Sequence, residues 1–369
     1  MLYDPRVVDR LLADLEALVT RESPSDDAGR VSELAEWIRA RLASAGVSAE
    51  RVACPPRGDA LLAHVGPGAG GTLLLGHHDT VWPVATLAAM PFRAEADRVT
   101  GPGVFDMKAG IAVAIGVLDR LALQASAPPV SLLLTPDEEV GTLASRALLL
   151  DVARRHERVL VLEPSLDGAA KLARKGTACF EIRLKGRAAH AGLEPEKGAS
   201  ALLELCRLAL YAAELADPDA GTSLTPTLAS AGSKPNVVPE AASLTLDARV
   251  WRSEEAQRLE HALRDYRGHD PGVSLEVEGG FDRPPLEPTP ASEALYARAR
   301  AIAGELGFEL GAARVGGASD GNLTAAAGVP TLDGLGPRGD GAHARHEFVF
   351  ASDLPRRVEL LERLVATAG

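Results

Sequence analysis

Nine residues, Thr72–Thr80, read TLLLGHHDT and set two imidazoles and a carboxylate directly behind an apolar run. Leu73-Leu74-Leu75 has the composition of a buried strand that ends at Gly76, so His77, His78 and Asp79 stand at its carboxyl end. Open α/β sheets carry their chemistry at that edge. In this spacing His77 can bind a metal while Asp79, two residues on, holds the other ring nitrogen, the support a ligating imidazole needs. A histidine pair that merely closes a strand is the alternative, because short motifs also match by accident.

Further stretches offer donors of the same kind. Pro129–Leu134, apolar apart from Ser131, runs into Thr135-Pro136-Asp137-Glu138-Glu139-Val140-Gly141, and Val159–Leu162 runs into Glu163-Pro164-Ser165. Asp106 lies in the glycine-rich Gly101–Lys108, and His343 lies in Gly341–Glu347, which reads GAHARHE. The candidate ligands are therefore His77, Asp106, Glu139, Glu163 and His343. Two imidazoles and three carboxylates suit zinc, with Co2+ or Mn2+ as alternatives, better than magnesium, which takes more oxygen and more water. Five ligands exceed what one tetrahedral ion with an open position uses, but they serve two ions if one carboxylate bridges. Asp106, on its loop, is best placed to do so. Glu138, beside Glu139 but not needed as a ligand, is then left to act as general base. Taken singly, Asp137-Glu138-Glu139 reads as an acidic helix start, and Glu163 as an ordinary strand end. Three apolar strands all finish in groups of this type, which points to one shared site.

These strands need a scaffold. Asp4 and Pro5 form a helix start, continued by Val7, Leu11, Leu15 and Val19 to about Thr20. A second helix spans Ala28–Ala45 and stops at Gly46. Strands are expected at Val52–Cys54, Ala60–Val65, Thr72–Leu75, Pro129–Leu134 and Val159–Leu162, with helices at Ala109–Gln124 and Thr142–Arg155. Near Arg174 the style changes. Ala178–Leu184 alternates like a half-exposed antiparallel strand and is followed by a helix (Lys197–Leu215), strands (Ser223–Ala229, Ala242–Val250), a helix (Glu254–Tyr266) and a strand (Val273–Val277). This β-α-β-β-α-β order fits an inserted ferredoxin-like α+β unit over residues 174–284. Residues 1–173 and 285–369 then make one α/β domain, a mainly parallel sheet flanked by helices, which closes with a helix near Ser292–Leu306, a strand at Thr331–Leu332 and a helix at Asp353–Ala366.

A chain of 369 residues is long for a single core, in keeping with two domains. A net charge of −12 with no basic tract argues against nucleic acid and anionic membranes as partners. No run approaches the roughly 20 apolar residues of a membrane span. Met1–Pro5 has neither a basic start nor an apolar core, so a cytoplasmic location is expected. Three cysteines, Cys54, Cys179 and Cys206, form no CxxC pair and give neither a disulfide framework nor a thiolate metal site.

Along nearly the whole chain the motifs resemble the di-zinc exopeptidase and N-deacylase superfamily. They are GHHDT (76–80), GPGVFDMKAG (101–110), DEEVG (137–141), EPS (163–165), GRAAHAG (186–192), PNVVP (235–239), GGASDGN (316–322) and GAHARHE (341–347). The likeness is nearest to glutamate carboxypeptidase, with acetylornithine deacetylase and succinyl-diaminopimelate desuccinylase beyond it. It implies two Zn2+ per chain, bridged by Asp106, with His77 and Glu163 on one ion and Glu139 and His343 on the other. Asp79 becomes the orienter and Glu138 the base. The resemblance selects His343 over His346, and a cis peptide between Asp106 and Met107. It makes the insert a lid that pairs two chains into a homodimer, with His190 reaching the partner's site. Asn236 and Arg249 match positions that line the substrate pocket, and Arg283 a guanidinium for the substrate's carboxylate, a task that suits its bidentate fork. The implied activity is hydrolysis of a small peptide or N-acyl amino acid that releases a C-terminal, acidic residue. An N-acyl amino acid deacylase or di/tripeptidase is the alternative, and a catalytically silent amino-acid-binding protein is the alternative from another class.

Overall fold

A computed structural model describes residues 4–67 and 70–367. The chain divides into two compact units. The first comprises Met1–Leu172, Pro288–Arg314 and Ser319–Gly369; the second comprises Ala173–Glu287 with Val315–Ala318. Val315–Ala318, expected in the first unit, thus belongs to the second.

In the first unit a six-stranded sheet runs in the spatial order Ser48–Ala53, Asp59–Val65, Val130–Thr135, Thr72–His77, Arg158–Val161, Thr331–Leu332. The last four strands are mutually parallel; Asp59–Val65 runs antiparallel to them, and Ser48–Ala53 pairs antiparallel with Asp59–Val65. The unbroken apolar runs follow from burial on both faces. Leu74, Leu132, Leu134 and Leu160 pack into a core with the helices Pro5–Val19, Ala109–Ala122 and Asp353–Ala366. Leu73, Leu75, Leu133, Val159 and Val161 face the other way, onto Leu149, Val152 and Leu323. Asp4 caps the first helix, its Oδ1 accepting the Arg6 N–H at 3.0 Å.

One helix is shorter than its pattern suggests. The expected Thr142–Arg155 helix spans only Arg146–Ala153. Gly141 and Thr142 both take left-handed backbone, φ 98° and 54°, which closes a single 3-10 turn at Glu138–Val140 and separates it from the helix. Within GGASDGN, Ser319 caps a helix, Asp320–Ala326.

A second, small sheet was not anticipated. It pairs Gly339–Asp340, Phe348–Phe350, Arg98–Thr100 and Arg93–Glu95, each too short to show alternation. Phe348 lies opposite Thr100, so Gly101–Asp106 and Gly341–Glu347 leave adjacent strands.

The second unit is an antiparallel sheet in the order Ser223–Ala231, Ala241–Val250, Gly176–Lys185, Ser274–Arg283, with helices Ala201–Leu215 and Ser253–Arg264. Phe180, Ile182, Leu184, Leu244 and Leu246 face the helices, while Cys179, Glu181 and Arg183 are exposed. The last strand is longer than expected, because it pairs along Gly176–Lys185 down to Arg283 opposite Thr177. The architecture is α/β with an inserted ferredoxin-like α+β unit.

Candidate active site

Each parallel strand of the first unit delivers a polar group just beyond its carboxyl end, and the small sheet adds two loops. His77 Nε2 lies 3.3 Å from Asp106 Oδ1 and 3.5 Å from Glu163 Oε1. His343 Nε2 lies 3.4 Å from Asp106 Oδ2 and 3.1 Å from Glu139 Oε2. One carboxylate, Asp106, therefore turns a different oxygen to each imidazole. The Glu138 carboxylate also reaches in: it, His77 and Glu163 offer donor atoms all within 4.8 Å of one another. His77 is buried and His343 half exposed, its side chain 52% accessible, so the group opens to solvent on the His343 side. His343 sits at φ 60° after Gly341 at φ 85°, a turn that aims its ring inward. His78 is buried and takes no part in these contacts, and His346 is exposed. The Asp106–Met107 peptide is cis.

Asp79, fully buried, braces the group. Its carboxylate lies 3.3 Å from His77 Nδ1 through Oδ1, which also accepts the Glu138 N–H at 3.2 Å; Oδ2 accepts the Glu139 N–H at 3.2 Å. The same oxygen accepts the Ser25 hydroxyl at 2.6 Å. Sequence reasoning missed Ser25, since nothing in Thr20–Ser25 shows that it runs beside Thr80. It also gave no role to Asp137 or Asp320. Asp137 accepts the Ala144 N–H at 2.7 Å and the Ser145 hydroxyl, and Asp320 accepts the hydroxyls of Thr135, at 2.8 Å, and Thr142. Together they hold the Glu138–Gly141 turn at both ends.

The donors fit a divalent cation. Two atoms each about 2.0–2.1 Å from one tetrahedral ion stand roughly 3.3–3.5 Å apart, longer than a charge-assisted hydrogen bond of about 2.7–2.9 Å. The imidazole–carboxylate separations are 3.1–3.5 Å. Glu139 Oε1 is buried without a hydrogen-bond partner, a lone pair still to be satisfied. The carboxylates demand positive charge. Burial pulls His77 down, but Asp106, Asp79 and Glu163 more than reverse this and hold it well above the usual imidazole range. Asp106 and Glu139 raise His343 to about 10. His78, buried with no such partners, falls to about 4.

A cation must displace these protons, because only the neutral ring ligates. Zinc affinity should therefore fall as pH is lowered from 8 to 6, by about tenfold per pH unit for each proton displaced. Chelator competition across that range measures it; a flat profile would contradict ligation by the raised imidazoles.

The second unit carries the other expected residues. His190 is exposed, and its Nδ1 accepts the Gly192 N–H at 3.1 Å, a role that places the hydrogen of the neutral ring on Nε2. Its loop is zipped to that of Asn236: His190 bridges Val237, and the Ala191 N–H donates to the Asn236 carbonyl at 3.0 Å. Arg249 is bound to Asp247, at 3.0 Å, within the same strand, and Arg283 is buried at a strand end.

The profile of peptidase family M20/M25/M40 matches residues 73–367. Carboxypeptidase G2 of a Pseudomonas species is 32% identical, covering 97% of this chain and 89% of its own. Succinyl-diaminopimelate desuccinylase of Methylococcus capsulatus is 29% identical over 94% of this chain and 96% of its own. Among solved structures, aminopeptidase PepT of Bacillus cereus shares the fold, with TM-score 0.80 and 21% identity over 97% of this chain and 98% of its own. With the profile spanning most of the chain and a relative aligned along nearly all of it, this protein is a metallohydrolase that belongs to peptidase family M20/M25/M40.

Proposed function

We propose that this chain uses two zinc ions to cut an amide bond next to a free amino-acid carboxylate, releasing a C-terminal residue that is by preference acidic. The observation that carries the reading is Asp106, whose two oxygens face the two imidazoles, one each. In this reading His77 and Glu163 hold one ion, Glu139 and His343 the other, and Asp106 bridges. The ions, when bound, supply Lewis acidity to the scissile carbonyl and acidify the attacking water. Glu138 takes the proton from that water and returns it to the leaving amine. Asp79 keeps the His77 ring in place from behind and anchors the Glu138 N–H, so ligand and base are set by one carboxylate. His190, with its Nε2–H, donates to the oxyanion. The proposal includes a cytoplasmic homodimer in which the second unit acts as lid and each His190 serves the partner's site. In support of the dimer, the strand Ser223–Ala231 is an exposed sheet edge. Asn236, Arg249 and Arg283 line the substrate pocket in this reading, Arg283 meeting the substrate carboxylate.

Product analysis on zinc-loaded protein tests this with a panel of peptides and N-acyl amino acids that end in Glu, Asp, Leu or an amide. Release of free glutamate or aspartate is expected. Arg283→Ala should raise KM severalfold for the acidic substrates and leave the amide-blocked ones unchanged. Hydrolysis confined to short N-acyl groups would favour a deacylase. No hydrolysis of any member would sink the proposal.

A further inference from the structure

Glu347 closes the motif that supplies His343, four residues earlier, yet the chemistry above does not use it. Its side chain is fully buried, which for a carboxylate calls for several good donors. Four converge on it, two to each oxygen. Oε1 accepts the backbone N–H groups of Phe105, at 2.8 Å, and Asp106, at 3.0 Å. Oε2 accepts the Gly103 N–H and the Trp82 indole Nε1–H, both at 2.9 Å. Three of these donors belong to the turn that carries Asp106. Gly103, at φ 71°, has no room for a Cβ, which would come within 2.7 Å of Thr80 Cγ2, so the turn is confined from the other side as well.

We propose that Glu347 is a positioning residue that sets the separation of Asp106 and His343, and so the affinity of the site for the ion they share. The carboxylate is rigidly attached to the loop of one group and hydrogen-bonded to the backbone of the other. The small sheet brings the two loops alongside, and Glu347 fixes them at one distance. The choice of a carboxylate follows from the donors. A glutamine has one oxygen, so whichever way its amide turns, its nitrogen opposes two N–H groups. In either orientation two of the four donors lose their acceptor and face another N–H, at least one of them from the Asp106 turn, and the turn loosens. The metal in this inference rests on the hydrolase reading; the clamp on the Asp106 turn does not.

Glu347→Gln should weaken zinc binding by about tenfold to a hundredfold, the usual effect of losing a group that orients a ligand, and lower kcat with KM within about threefold. In metal-free protein the Trp82 indole N–H resonance, assigned by its absence from Trp82→Phe, should shift. Trp82→Phe itself keeps Phe105 and Asp106 paired and should change zinc affinity by less than about threefold. If Glu347→Gln does not fold, Glu347→Asp, which keeps the charge but draws it back by one methylene, is judged by the same criteria. Unaltered zinc affinity in the variant, whether or not its melting temperature drops, would overturn the assignment and leave the hydrolase reading standing. Failure of the wild-type protein to bind zinc would overturn both.

Discussion

Glu138→Gln is expected to keep its zinc and lose about a hundredfold or more in kcat, with KM little changed, the usual scale for removing a general base. The substitution is nearly isosteric. The Glu138 N–H stays bound to Asp79 Oδ1, and the turn around it remains held by Asp137 and Asp320, so the amide takes the place of the carboxylate without moving Glu139. What is lost is the ability to accept a proton. Metal analysis and steady-state kinetics on the same preparation decide the matter. Loss of zinc together with activity would mean that Glu138 ligates, an arrangement its reach to His77 and Glu163 makes the natural competitor. Full activity would remove Glu138 from the chemistry altogether.

Asp106→Asn should have the larger effect. It leaves the backbone clamp on Glu347 in place and removes the negative charge that faces both imidazoles. If that carboxylate serves two ions, both bind more weakly. The several kcal/mol of transition-state stabilisation attributed to metal ions then disappear, about a thousandfold or more in kcat. Glu163→Gln is the matched comparison, since Glu163 lies 3.5 Å from the His77 imidazole and its loss should weaken one ion only. Zinc stoichiometry should fall towards zero in the first variant and towards one in the second. A wild-type protein that saturates at one ion, or an Asp106→Asn variant that retains two, would remove the bridge.

The local readings that came out well rest on interactions close in sequence. Asp4-Pro5 starts a helix because cap and first turn lie next to each other, and Ala178–Leu184 reads as a half-exposed strand because alternation is a property of consecutive residues. The runs at Leu73–Leu75, Leu132–Leu134 and Val159–Val161 announce strands covered on both faces, and the polar residues behind them announce their chemistry. Boundaries fared worse where conformation depends on partners far away. Thr142 takes left-handed backbone while its hydroxyl is held by Asp320, 178 residues on, and no helix propensity in Thr142–Arg155 could reveal it.

By itself the sequence determined the fold class and the types of group at the strand ends, since apolar periodicity and residue chemistry are local. Tertiary structure decided which groups meet. Thr100 and Phe348, in strands of three residues each, carry no recognisable pattern, yet their pairing brings the Asp106 and His343 turns together. Ser25 reads as one serine among many until its segment lies against Thr80, where its hydroxyl meets Asp79. Glu347, in a loop of mixed polarity, has the composition of a surface residue. Only burial with four converging N–H groups marks it otherwise, because a carboxylate removed from water must be matched donor by donor, and those donors come from parts of the chain more than 240 residues away.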